Sequence, residues 1–200
     1  MIKIGCDNLV YAIMKTVDTK AAAPTFDAPK NAPGVQSINI NPNASVETAF
    51  GDDGPMETAS TLGKIDVEIQ KAYLTAENQA DLLGKAIDSK GGLVSGSNDT
   101  PPWVAVGFRT LKSNGHYRYV WLYKVRFMDP EDNNETKGDS INFQSETIKG
   151  QGAKLNFGYK VDGKVRYPWK YEIDEDTLEA DDTTLEGWFT AVVLPTADLV

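Results

Sequence analysis

The clearest pattern along the chain is a strict alternation in its middle. Tyr117, Tyr119, Trp121, Tyr123, Val125 and Phe127 fall at every second position, with Arg118, Lys124 and Arg126 between them. Successive side chains of a strand leave opposite faces, so period two over this length predicts a long strand. The apolar-rich run 103–111 precedes it, and Asn114-Gly115 lies between the two. Asn-Gly accepts the positive φ angles of a type I′ turn, which predicts a hairpin. A second hairpin is predicted around Asp162-Gly163. Leu155, Phe157, Tyr159 and Val161 alternate before it, and Val165, Tyr167, Trp169 and Tyr171 after it. Pro168 inside the second run points to an edge strand or a bulge. Ile65, Val67 and Ile69 alternate with Asp66, Glu68 and Gln70, which predicts a strand with one face in water. Further strands are expected at about 36–41, 141–149 and 187–194.

One segment changes period. In 74–84, Thr75 is placed to cap a helix, Glu77 suits the first turn, Ala76, Ala80 and Leu83 share a face, and Gly84 fits the stop. A single short helix is expected there. Residues 15–35, 42–61 and 86–102 are rich in Pro, Gly, Ala and Asp. They bury too little apolar area to offset their ordering entropy, so they are expected as extended loops that gain order from a partner. The chain carries no internal repeat. The expected architecture is mainly β: one domain over 1–200, a β-sandwich or partial barrel with one short flanking α-helix and long loops.

Composition narrows the function. Hydrophobic residues are 40% and charged residues 24% of the chain, as in an ordinary globular protein. No apolar run is long enough for a membrane span, and the opening Met1-Ile2-Lys3-Ile4 does not read as a secretory signal. A cytoplasmic protein, or one built into a particle there, is expected. The net charge of -9 argues against gripping nucleic acid by its phosphates. It suits a surface past which DNA slides. Cys6 is the only cysteine and His116 the only histidine, so no internal disulfide is possible and little material exists for a zinc site or a Cys-His nucleophile. Cys6 is expected as a buried thiol.

The candidate motifs reduce to surface features. Residues 129–135 are dense in oxygens but lack the glycine and late Glu of a calcium loop. Gly91-Gly92-Leu93-Val94-Ser95-Gly96 lacks the Gly-Lys-Ser/Thr ending of a phosphate loop and reads as a connector. Asp52 and Asp53 sit in a Gly/Pro-rich turn with no buried neighbour to tune them for acid–base work. The run 172–182 holds seven carboxylates in eleven residues and reads as a solvated segment, with a repulsive or partner-contacting surface as the alternative. No catalytic, cofactor or metal site is expected, and no enzyme.

Several blocks, in order, carry a resemblance to a family. They are Ile4-Gly5-Cys6-Asp7-Asn8-Leu9-Val10-Tyr11-Ala12, Pro33-Gly34-Val35-Gln36-Ser37-Ile38-Asn39-Ile40, Glu47-Thr48-Ala49-Phe50-Gly51-Asp52-Asp53-Gly54-Pro55, the segment 63–84 ending in Leu82-Leu83-Gly84, Ala105-Val106-Gly107-Phe108-Arg109, and Tyr119-Val120-Trp121-Leu122-Tyr123-Lys124. Together they resemble the major tail (tail tube) proteins of siphophages and prophages of Gram-positive bacteria. Gly51 departs from the aromatic or small residue that the family places beside Asp52. The resemblance implies a subunit of stacked, hexameric rings that form the conduit for DNA ejection. Its partners are then copies of itself, with tape measure, tail terminator and distal tail proteins. DNA passes the lumen without specific binding, no membrane or cofactor is involved, and the virion tail is assembled in the host cytoplasm. On this reading Asp66 and Glu68 are candidates for the lumen wall. Glu47, Phe50, Asp52 and Asp53 are candidates for the loop between rings. The alternatives are an inner-tube protein of a contractile tail or tailocin, and a carbohydrate-binding adhesion domain stacking sugars on Trp103 or Trp169.

Overall fold

The computed structural model describes residues 2–51, 54–131, 145–179 and 183–196. In chain order the elements are β1 (Lys3–Thr16), β2 (Thr25–Phe26), β3 (Lys30–Asn31), β4 (Val35–Gly51), β5 (Gly54–Lys71), α1 (Ala76–Leu83), β6 (Ala86–Ile87), β7 (Leu93–Val94), β8 (Val104–Lys112), β9 (Tyr117–Phe127), β10 (Glu146–Gly152), β11 (Tyr159–Val161), β12 (Lys164–Arg166) and β13 (Lys170–Asp174). Nine strands make one antiparallel sheet in the order β2-β1-β8-β9-β10-β5-β4, with β3 on β1 and β13 on β9. The sheet divides along one edge of β9. Arg118–Leu122 of β9 pairs with β13, whereas its end at Val125–Phe127 pairs with β10. The sheet curls into a partial barrel but does not close. Between the start of β1, Gln36–Pro42 of β4 and Lys170 and Glu172 of β13 it leaves a cleft of about 520 Å³.

Two cores lie on opposite faces of β1, β8 and β9. Inside the curl, Leu9, Tyr11, Ile65, Val67, Val106 and Phe127 pack together under Leu74, Leu82 and Leu83 of the helical segment. On the outer face, Val10, Ala12, Ala105, Trp121 and Tyr123 are covered by Leu155, Tyr159 and Trp188. Burial on both faces explains why 104–108 and 120–123 read as continuous apolar runs. Gly107 is needed here because a Cβ at that position would meet the Trp121 ring at 2.8 Å.

The alternation in β9 is correct in period but not in meaning. Tyr119, Trp121 and Tyr123 join the outer core, but Val125 and Phe127 join the inner one. Between the pairs Val106↔Leu122 and Val104↔Val125, β9 advances three residues against two in β8, and this extra residue in β9 exchanges the faces. The turn also differs. Among the described residues Gly115 takes positive φ (85°) and Asn114 does not, and Gly115 N donates to Lys112 O. This is a three-residue loop ending in a left-handed glycine, not a type I′ turn. The second hairpin does hold two consecutive positive φ angles, 51° at Asp162 and 70° at Gly163. It pairs only Tyr159–Val161 with Lys164–Arg166, because Pro168 ends the pairing and β13 turns away to join β9.

Thr75 caps α1 through Asn78 N at 3.1 Å, and Gly84 stops it, as expected. The buried face is Asn78, Leu82 and Leu83, not Ala76 and Ala80, since Leu74 ahead of the helix sets the packing direction. Residues 187–194 are not a strand. Trp188 N bonds Leu185 O, Thr190 N bonds Gly187 O, and Trp188 anchors an irregular strap over the outer core. Trp121 Nε1 donates to Trp188 O at 3.3 Å and Tyr123 Oη to Val193 O at 2.8 Å, which ties the strap down.

The expected strand at 36–41 lies within β4, and β10 occupies the described part of 141–149. Of the three expected loops, 15–35 contains β2 and β3, which cover the edge of β1, and 86–102 contains the small hairpin β6–β7. The third, 42–61, is treated below. Cys6 is half-buried, not buried, and burial and the neighbouring Asp7 raise its thiol pKa.

Candidate assembly surface

β4 and β5 are far longer than the sheet that holds them. β10 accompanies β5 only over Ile65–Lys71, after which β4 and β5 continue as a pair from Ala44↔Leu62 to Gly51↔Gly54. Residues 42–61 are thus not an unpaired loop. Thr and Val at strand spacing give them β-propensity, and cross-strand contacts such as Ser45 Oγ to Thr61 Oγ1 at 2.9 Å join the two halves. At about 3.3 Å per residue, the ribbon projects about 25 Å beyond its last neighbour. Gly63 marks its root, since a Cβ there would meet Asn43 O at 2.3 Å, within a bulge where Leu62–Ile65 of β5 spans only Pro42–Ala44 of β4.

Where its side chains are described, at 44–48 and 60–62, the ribbon is largely exposed. Val46 is 67% exposed and Leu62 46%, so among the described residues neither finds full cover. Glu47 is exposed opposite Ala59. Phe50 lies in β4, with its side chain outside the described residues, as are Asp52 and Asp53 altogether.

Asp66 and Glu68 lie in water on the outward face of β5, as the alternation implies. Asp66 accepts from Asn43 Nδ2 at 2.7 Å. The neighbours across the strands are Asn39 and Asn41 on β4 and Lys149 and Gln151 on β10. Lys149 stands directly opposite Glu68, and exposed Lys64 and Arg126 border the same face. The surface is therefore mixed in charge and strongly hydrated, not uniformly acidic. Lys149 was invisible from β5 alone, because the partner strand comes from about eighty residues downstream.

The acidic run is partly paired. Arg118 donates to Asp174 at 2.5 and 2.7 Å, Lys112 to Asp176 at 2.5 Å, and Tyr117 N to Glu175 at 2.7 Å. Cations of the β8–β9 hairpin thus clamp 174–176 in place of the solvated segment expected, while 180–182 lie outside the described residues. The Arg118 hydrogen bond holds the Asp174 carboxyl below its ordinary range, and the Lys112 hydrogen bond does the same for Asp176. A depressed carboxylate contributes stability above its unfolded pKa, near about 4, and loses it as pH falls through the lower folded value. Protection of β13 amides from hydrogen exchange is expected to hold at pH 5 and to fall below about pH 4. Arg118→Ala shallows this acid dependence, and an unchanged acid limb in that variant contradicts the clamp.

The remaining motifs offer no open platform. Asp129 pairs with Lys85 at 2.6 Å, and most of the oxygen-rich 129–135 lies outside the described residues. Trp103 is partly buried with Arg126 at 4.3 Å over its ring, and Trp169 carries Lys170 at 5.3 Å. Among the described residues, no helix is long and apolar enough to cross a membrane.

No protein family profile matches the chain, and no curated protein does. Among solved structures, it is similar to a chain of the cryo-EM structure of the anti-feeding prophage baseplate, 6-fold symmetrised. The TM-score is 0.38 at 8% identity, covering 86% of this chain and 95% of that one. A likeness at this level assigns neither family nor function.

Proposed function

We propose that the protein is a structural subunit of a phage tail tube, assembling with its own copies into stacked rings around a DNA conduit, and that it performs no catalysis. The observation that carries this reading is the β4–β5 ribbon. An isolated two-stranded ribbon is at best marginal in water, and its exposed Val46 and Leu62 call for cover from another molecule. A second copy provides it most simply, because one surface repeated head to tail yields rings where the rotation closes and filaments where it does not. The resemblance in the sequence blocks supports the same partner. Among the described residues the outer edge of β4 pairs with no strand, which gives a further strand-pairing surface.

Function in this reading is passive. The hydrated face around Asp66 and Glu68 lines the lumen, where scattered charges of both signs give phosphates no continuous basic track to bind. Asp66→Lys with Glu68→Lys adds two units of positive charge at each site and turns the face basic. Tubes are expected to form as before, but DNA is retained and infectivity falls at least about tenfold, more strongly at low salt. Unchanged infectivity with intact tubes places the lumen elsewhere. The same fold and assembly serve an inner tube within a contractile tail, and a sheath protein co-purifying with the particles separates the two.

A further inference from the structure

Beneath α1 lies a group that assembly does not use. Lys71, the last residue of β5, is 2% exposed, and its Nζ lies 3.3 Å from Oδ1 of Asn78, itself 6% exposed. The surroundings are apolar. Leu9, Ile69, Leu74, Leu82 and Phe127 line a cavity of about 10 Å³ against Lys71, whose apolar walls offer solvating water too few partners. An ammonium has three protons to donate, and Asn78 Oδ1 is the one acceptor the described residues place at hydrogen-bond distance. A charged lysine held so is costly.

The neighbours form a defined constellation. Asn78 is fixed in the first turn of α1 by its N–H to Thr75 Oγ1. Its Nδ2 donates to Tyr11 Oη at 3.2 Å, and Tyr11 Oη donates to Asp81 Oδ2 at 2.7 Å. Glu146, exposed at the start of β10, is the cross-strand partner of Lys71 and acts on it through its charge, with one carboxylate oxygen held by Leu74 N at 2.9 Å. We propose that Lys71 and Asn78 condense into an intramolecular isopeptide bond, with Glu146 accepting the proton that the lysine gives up.

The step balances without any co-reactant. Lys71 Nζ, as a neutral amine, attacks Asn78 Cγ, and an Nζ–Cγ bond forms. Nζ passes a proton to Glu146, Nδ2 takes one back, the Cγ–Nδ2 bond breaks, and ammonia leaves. Nothing is oxidised or reduced. Desolvation lowers the Lys71 pKa against the opposing charge of Glu146, which favours the nucleophilic neutral form. Two reactants held by a folded core, one on a strand and one on a capped helix, have the fixed approach that makes such a step intramolecular. The product removes a buried ammonium and welds α1 to the end of β5.

The test is mass spectrometry of the full-length protein, purified folded and incubated at neutral pH. The intact mass is expected to be lower than the sequence mass by one ammonia. Trypsin is expected to leave 65–85 as one looped peptide, because an acylated Lys71 is not a cleavage site. Asn78→Ala and Glu146→Gln are expected to retain the full mass for their sequences and to restore cleavage after Lys71. Wild-type protein with its full mass and a free 72–85 peptide overturns the proposal, whether or not the variants fold. Loss of ammonia with normal cleavage after Lys71 also overturns it, since that marks a cyclic imide at Asn78.

Discussion

Deleting residues 48–56 is expected to abolish tube formation while leaving the monomer folded. The deleted segment lies in the part of the ribbon where β4 and β5 have only each other. Among the described residues, neither core includes any of it. The thermal transition of the monomer should therefore stay within a few degrees of wild type, since surface changes away from the core are usually within about 0.5 kcal/mol. In the proposed assembly the deleted tip is the part of the ribbon that reaches farthest toward a neighbouring copy, so tube formation should fail completely. Negative-stain images and sedimentation of the variant at high concentration measure this. Long tubes from the deleted chain would remove the ribbon from the interface between rings.

The largest effect on folding itself is expected from Asp18→Ala. The Asp18 side chain is fully buried and meets Lys124 Nζ at 2.6 Å, while Lys124 is only 7% exposed. Its other oxygen accepts from Asn156 N and, at 3.3 Å, from Phe157 N. Burial opposes the charge, but the Lys124 and Asn156 hydrogen bonds hold the carboxyl below its ordinary pKa. Removing it strands a buried ammonium and leaves two N–H groups without an acceptor, at a cost of about 3–5 kcal/mol. Denaturant midpoints measure the loss. Asp18→Asn, which keeps an acceptor but no charge, should fall between the two. A loss below about 1 kcal/mol for Asp18→Ala would show that water reaches Lys124 and replaces the carboxylate.

These two sites differ in how far the sequence announces them. The strand of Ile65, Val67 and Ile69, the capped helix after Thr75 and the β8–β9 hairpin are legible because their signals are local: period, cap and turn residue. The ribbon is partly legible. Its Gly and Pro content marks the segment as a loop in need of a partner, but the same composition conceals the strand pairing that β-branched residues such as Val46 and Thr61 favour. The bulge in β9 between Leu122 and Val125 leaves no mark in that strand's apolar alternation, so the change of face at Val125 is visible only once the register is known. Asp18 reads as one more polar residue in a loop, because its partners Lys124 and Asn156 lie over a hundred residues away. The network of Tyr11, Lys71, Asn78 and Asp81 is hidden for the same reason: three elements converge there, and none carries a motif. The strap at 187–194 misleads in the opposite sense, since an apolar run that anchors by Trp188 looks like one that pairs.

The central claim is that this chain completes its structure with copies of itself, and electron microscopy of the purified protein over a wide concentration range tests it most directly. Open-ended tubes built of stacked rings, with the β4–β5 ribbon of one ring covered by the next, are the predicted result. A population that stays monomeric at every concentration, with Val46 and Leu62 still exposed to solvent, would contradict it.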